Sequence, residues 1–195
     1  MTNADDVNAK IIAGGFSYGP LQAQDISCDS AGCSGTLDLQ NASASTSTSP
    51  TRFGFTGNVY DVSGNPTGLS VEVPVDASGP CDTELAIWTR STPTSPWTLK
   101  WAETQSLLLG TSVTFSPSGL MLKDAEQIGI GFAWACDFNV SMSIFETGIG
   151  LSGPLGYSGK RLSTVSFSGQ SLSNVTLIEN SDFRQMSHSI ELWGP

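Results

Sequence analysis

Histidine is almost missing: His188 is the only one in 195 residues, and charged side chains make up 13% of the chain, against about a quarter in an average domain. Imidazole is the commonest general base and metal ligand, so a chain with a single copy has few routes to either chemistry. A Ser-His-Asp arrangement would have to use His188, and no Gly-x-Ser-x-Gly elbow is present. Its setting, Met186-Ser187-His188-Ser189 just ahead of the last apolar segment, reads as a surface or loop histidine. The eight basic residues are scattered: Lys10, Arg52, Arg90, Lys100, Lys123, Lys160, Arg161 and Arg184. With no basic cluster there is nothing to neutralise phosphates, which argues against nucleic acid or an anionic membrane as partner. No apolar run is long enough to span a bilayer, and no cofactor loop is present.

What the chain has instead is hydroxyls, amides and glycine. Eighteen acidic residues set a net charge of −10, and 21 residues are glycine. Such a surface is common outside cells, and the acidity suits solubility better than it suits a particular ligand. The first residues, Met1-Thr2-Asn3-Ala4-Asp5-Asp6, are polar and acidic and do not read as a signal peptide. Either a signal was removed, or the protein leaves by another route such as a virus particle. Extracellular, cell-surface or virion locations are therefore expected.

Four cysteines allow three pairings. Cys28 and Cys33 stand four residues apart around Asp29-Ser30-Ala31-Gly32 and read as a local staple. Cys81, after Gly79-Pro80, and Cys136, at the end of an apolar run, read as a long-range clamp. A Cys-x4-Cys with two distant cysteines is not a zinc spacing.

Alternation with a period of two runs through most of the chain. Strands are expected at 35–41, 52–62, 69–75, 84–89, 97–103, 111–116, 126–136, 139–151, 162–167, 174–179 and 189–193. The Ser63–Gly68 turn predicts a hairpin between 52–62 and 69–75. The second predicted hairpin joins 84–89 to 97–103 and puts Trp97, Leu99 and Trp101 on one side. The Ser/Thr-rich stretch 42–50 reads as an exposed loop. One short helix is expected at 117–126, and a 3₁₀ turn within 181–187. The fold class is all-β: an antiparallel β-sandwich of jelly-roll type with at most one short helix. Residues 1–18 are expected to form an N-terminal arm or first strand, and 19–195 a single β-sandwich domain.

Several residues could carry chemistry. Trp88, Trp97 and Trp101 could form a stacking strip for sugar rings if they share an exposed face, whereas Trp134 reads as core. Glu84 and Glu146 are the candidate pair of carboxylates for glycoside hydrolysis. Glu84-Leu85-Ala86-Ile87-Trp88 resembles the Glu-Leu-x-Ile-Trp strand that carries the nucleophile in the jelly-roll endoglucanases of glycoside hydrolase family 12. The resemblance covers five residues, and Ile144-Phe145-Glu146-Thr147-Gly148 lies farther from the C-terminus than that family's partner motif. It implies Glu84 as nucleophile and a β-glucan as substrate. No cofactor is expected; Asp76 and Asp82 border a loop that could take a structural calcium, but it matches no EF-hand, and turn-capping aspartates are the leading reading. Asn41-Ala42-Ser43, Asn139-Val140-Ser141 and Asn174-Val175-Thr176 match the N-glycosylation triplet.

The expectation is a non-catalytic, extracellular or surface-displayed β-sandwich that binds a glycan or another surface. A structural subunit of a virion or extracellular filament, assembling through Ala9-Lys10-Ile11-Ile12-Ala13 of the arm, is the alternative from a different class. A glycoside hydrolase using Glu84 and Glu146 is the third.

Overall fold

The computed structural model describes residues 27–29, 32–38, 45–47, 51–75, 79–108, 112–140, 143–146, 155–165, 167–181, 184–186 and 188–193. For 27–47, 143–146, 156–157, 159, 184–186, 189 and 193 the description covers the backbone only. The expected arm, 1–18, falls outside the described residues.

Among the described residues the chain forms fourteen strands: β1 (Ser27–Asp29), β2 (Gly32–Asp38), β3 (Ser45–Ser47), β4 (Thr51–Val62), β5 (Gly68–Val73), β6 (Cys81–Arg90), β7 (Thr98–Leu107), β8 (Val113–Phe115), β9 (Gln127–Val140), β10 (Ser143–Glu146), β11 (Leu155–Thr164), β12 (Leu177–Ser181), β13 (Arg184–Met186) and β14 (Ser189–Trp193). A six-stranded sheet has the order β12-β11-β4-β9-β6-β7, a five-stranded sheet β1-β2-β14-β5-β8, and a three-stranded sheet β13-β10-β3. Every pairing is antiparallel. The two larger sheets pack face to face into an all-β sandwich.

The pattern of β9 explains the layering. Its alternation is large–small: Ile128, Ile130, Phe132 and Trp134 take one face, and Gly129, Gly131, Ala133 and Ala135 the other. Successive side chains point to opposite faces of a strand. The large set meets Leu85 and Ile87 of β6, Tyr60 of β4, Leu69, Val71 and Val73 of β5, Phe115 of β8, and Ile190 and Leu192 of β14 in the inter-sheet core. The small set faces outward, where a strap, residues 167–177, lies across the sheet. There Phe167, Leu172, Val175 and Leu177 form a second, smaller apolar cluster with Val59, Ala86, Trp88 and Leu162. From Gln127 to Trp134, β9 is therefore covered on both faces, which its nearly unbroken apolar sequence there requires.

Cys81 and Cys136 face each other in the β6–β9 ladder and form the expected disulfide, 55 residues apart in sequence. Cys28 stands opposite Cys33 in the β1–β2 ladder; the sulfur atoms of this pair lie outside the described side chains. Trp134, 3% exposed, is in the core as expected.

Five local expectations are corrected. The chain from β4 to β5 is not a hairpin: β4 pairs with β9 and β11, and β5 with β14 and β8, so residues 63–67 carry it from one sheet to the other. The expected helix at 117–126 is irregular chain with two turns. Leu120 and Leu122 enter the core, while Leu122 N–H and Ala125 N–H donate to Pro66 O and Val62 O, and Val62 N–H donates to Glu126 O. Those long-range bonds satisfy the backbone that a helix would have paired internally. The stretch 181–187 carries the end of β12 and all of β13; the 3₁₀ turn is instead Leu172–Asn174, so β12 starts later than the expected strand at 174–179. The Ser/Thr stretch 42–50 contains β3. His188 is fully buried, where a surface or loop site was expected.

Candidate functional site

Strand register brings together a face that no single segment displays. In β4, Phe53 and Phe55 stand opposite Ala135 and Ala133 of β9. The same two alanines stand opposite Asp82 and Glu84 of β6, which in turn face Ser106 and Thr104 of β7. Two adjacent rows thus read Phe53-Ala135-Asp82-Ser106 and Phe55-Ala133-Glu84-Thr104 across four strands, all on the outer side. Strand spacings make this face roughly 14 Å wide and about 7 Å from row to row. Its composition is graded: aromatic on β4, flat on β9, carboxylate on β6, hydroxyl on β7.

The strap walls one end. Phe167 packs beside Phe55 with ring centroids 6.3 Å apart, and Phe55 meets Trp88 edge to face at 6.5 Å. Trp88 lies under the strap, 4% exposed. These rings can approach the sheet because Gly131 has no side chain: a Cβ there would stand 2.7 Å from Phe55 and 2.8 Å from Trp88. An open cleft of about 210 Å³ remains between the rows and the strap, lined by Asp82, Glu84, Thr104, Phe167, Gln170 and Ser171 among others. That is below the roughly 300–1,000 Å³ of an enclosed small-molecule pocket, and fits one unit of a longer ligand passing over a surface.

Glu84 already has partners. One carboxylate oxygen accepts from Ser171 Oγ and the other from the Leu172 N–H, both at 2.9 Å, so it caps the 3₁₀ turn of the strap. Asp82 accepts from Ser106 Oγ through Oδ1; its Oδ2 has no hydrogen-bond partner among the described residues. Phe53, 47% exposed, is the most open ring of the face.

The other expected site residues lie elsewhere. A bulge in the β6–β7 ladder sets Trp101 opposite Ile87 and Leu99 opposite Trp88. Trp101 consequently turns to the inter-sheet core and meets Phe115, whereas Trp97 joins the strap cluster. Trp88, Trp97 and Trp101 therefore form no common strip. Glu146 lies on β10 of the three-stranded sheet, opposite Arg184, and its side chain is outside the described ones. Asp76 is outside the described residues. Among the described residues no group of three or more His, Cys, Asp or Glu could hold a metal ion.

Two polar clusters tie the fold together, one partly buried on the outer face and one in the core. At the far end of the outer face, Arg90 donates to both oxygens of Glu179 and, through Nε and Nη2, to Gln127 Oε1. Its guanidinium lies 4.2 Å over the Trp97 ring. Glu179 also accepts from Trp97 Nε1 and Lys160 Nζ, each at 3.0 Å, and Gln127 passes the chain on to Asp61. Burial pushes the Glu179 carboxyl up, but bonds from Arg90, Lys160 and Trp97 and the Arg90 charge outweigh it, leaving the carboxyl below its ordinary value. In the core, Tyr60 Oη and His188 Nε2 are 2.6 Å apart, and Asn58 donates to the same Oη at 3.0 Å. Sequence reading missed this contact because it spans 128 residues and no local pattern marks it.

Compared with known proteins, the chain matches no protein-family model, no curated protein and no solved structure. Among the described residues no helix is long and apolar enough to cross a membrane.

Proposed function

We propose that this chain is a non-catalytic β-sandwich, extracellular or surface-displayed, that binds a glycan through the outer face of its six-stranded sheet. The observation that carries the reading is the double row from Phe53 and Phe55 to Ser106 and Thr104. Aromatic faces stack on the C–H faces of sugar rings, while carboxylates and hydroxyls bond sugar hydroxyls. Ala135, exposed beside Phe53, lets a flat ring lie close to the sheet. Trp88 and Trp97 act as supports for this face and its strap. The Cys81–Cys136 disulfide is compatible with an oxidising compartment.

Phe53→Ala tests the reading. The ring is half exposed, so the variant should fold, and losing one stacking contact of about 1.4 kcal/mol would weaken binding roughly tenfold. Trp101→Ala, on the opposite face, should leave affinity unchanged once its folding has been verified. The measurement is calorimetric titration with neutral polysaccharides drawn from a glycan array. Equal affinity of Phe53→Ala and wild type, or no polysaccharide bound by the wild type, would sink the proposal.

A further inference from the structure

We infer that Asn174 is an acceptor for an N-linked glycan. The inference rests on the proposed extracellular setting, because the transferase works in the secretory lumen. Asn174 closes the 3₁₀ turn Leu172–Asn174, and its N–H donates to Ser171 O. Its side chain is exposed and has no partner among the described residues. Val175 follows in extended geometry, φ −87° and ψ 147°, with its side chain packed into the strap cluster. Thr176 is exposed again. The middle residue of the triplet is thus anchored, while the acceptor amide and the hydroxyl that the transferase requires both face outward.

A second observation concerns the ground beside the acceptor. Asn174, Val175 and Thr176 border a shallow hollow of about 200 Å³ with Thr164, Val165 and Gln170. Val165 is 74% exposed, a large apolar group open to water at the rim. The first sugar of a glycan would cover it. Of the other triplets, Asn139 lies within β9 with Val140 buried beside it, and residues 41–43 and 141 are outside the described residues. In the transfer, Asn174 Nδ2 attacks the anomeric carbon of a polyprenyl-diphosphate-linked oligosaccharide. A C–N bond forms, the C–O bond to the diphosphate breaks, the lipid diphosphate leaves with the bonding electrons, and the amide gives up one proton.

The test is secretory expression of the full chain in an N-glycosylating eukaryotic cell, with intact mass and peptide mapping before and after peptide:N-glycosidase. The expected result is a glycan on the Asn174 peptide, converted to aspartate by the enzyme and absent from Asn174→Gln and Thr176→Ala. Folded, secreted protein with Asn174 bare overturns the inference and leaves the proposed function standing. Modified Asn174 with no polysaccharide binding overturns the proposed function and leaves this one. A chain that stays inside the cell, bare, removes both. Affinity should be the same for wild type and Asn174→Gln, because Asn174 lines the hollow and not the binding cleft, Gln170 being the one residue that borders both.

Discussion

Arg90→Leu is expected to lower the folding free energy by about 3 kcal/mol, the low end of the cost of breaking a buried ion pair. Arg90 is 5% exposed, while the side chain of Glu179 is 22% exposed and keeps Lys160 and Trp97, which is why the low end applies. The variant leaves Gln127 Oε1 without its Arg90 donors and leaves Trp97 without the cation on its ring. Urea titration should show an earlier midpoint with an unchanged slope. The double variant Arg90→Leu/Glu179→Leu should lose less than the sum of the two singles, because neither member of the Arg90–Glu179 pair is left facing a missing partner.

The same pair predicts an acid response. The folded pKa of Glu179 lies below its ordinary value of 4.5. A carboxylate depressed in the fold stabilises it at pH above the unfolded value, and the contribution fades as pH falls through the folded one. The stability gap between wild type and Arg90→Leu should therefore be full at pH 6–7 and narrow progressively below about pH 4.5. A gap independent of pH would show that Arg90 acts by packing over Trp97 rather than through the charge of Glu179.

Removing the disulfide should cost more. A cross-link closing 55 residues lowers the entropy of the unfolded chain by an amount worth about 4 kcal/mol. That is a large share of the roughly 5–15 kcal/mol that holds a typical domain folded. Cys81→Ala/Cys136→Ala should unfold at much lower urea than oxidised wild type, and dithiothreitol should bring the wild type toward the variant. Both sulfurs sit in the inter-sheet core, so the alanines add a cavity cost, and reduction of the wild type, which keeps both sulfurs, isolates the cross-link. A loss under about 1 kcal/mol would mean that the unfolded chain is already compact around this pair.

Much of the fold could be read before any coordinates. The extents of β5 and β14 follow from alternation, and the centrality of β9 from its apolar run. The clamp between Cys81 and Cys136 was readable once Cys28 and Cys33, with four residues between them, were read as a local pair. The hairpin expected between β4 and β5 failed at the Ser63–Gly68 turn. Gly64, with φ of 78°, does allow a sharp turn there, yet Leu120, Leu122 and Ala125 come in from residues 117–126 and draw the chain across to the other sheet. A turn signal specifies a change of direction, and not which sheet the chain enters next.

The sequence by itself determined that this is an oxidised, acidic, antiparallel β-protein. It also placed Phe53 with Phe55 and Ala133 with Ala135 on common faces of their own strands, whereas Asp82, read as bordering a loop, joins Glu84 on one face because β6 begins at Cys81. That much is local, because the pleat assigns every second residue to one side. Only the tertiary structure decided that these three pairs lie in line, that Trp101 turns away from Trp97 at a bulge, and that His188 is sealed against Tyr60. Register and sheet membership are set by backbone pairing between segments tens of residues apart, and a slip of one position would send each set to the opposite face.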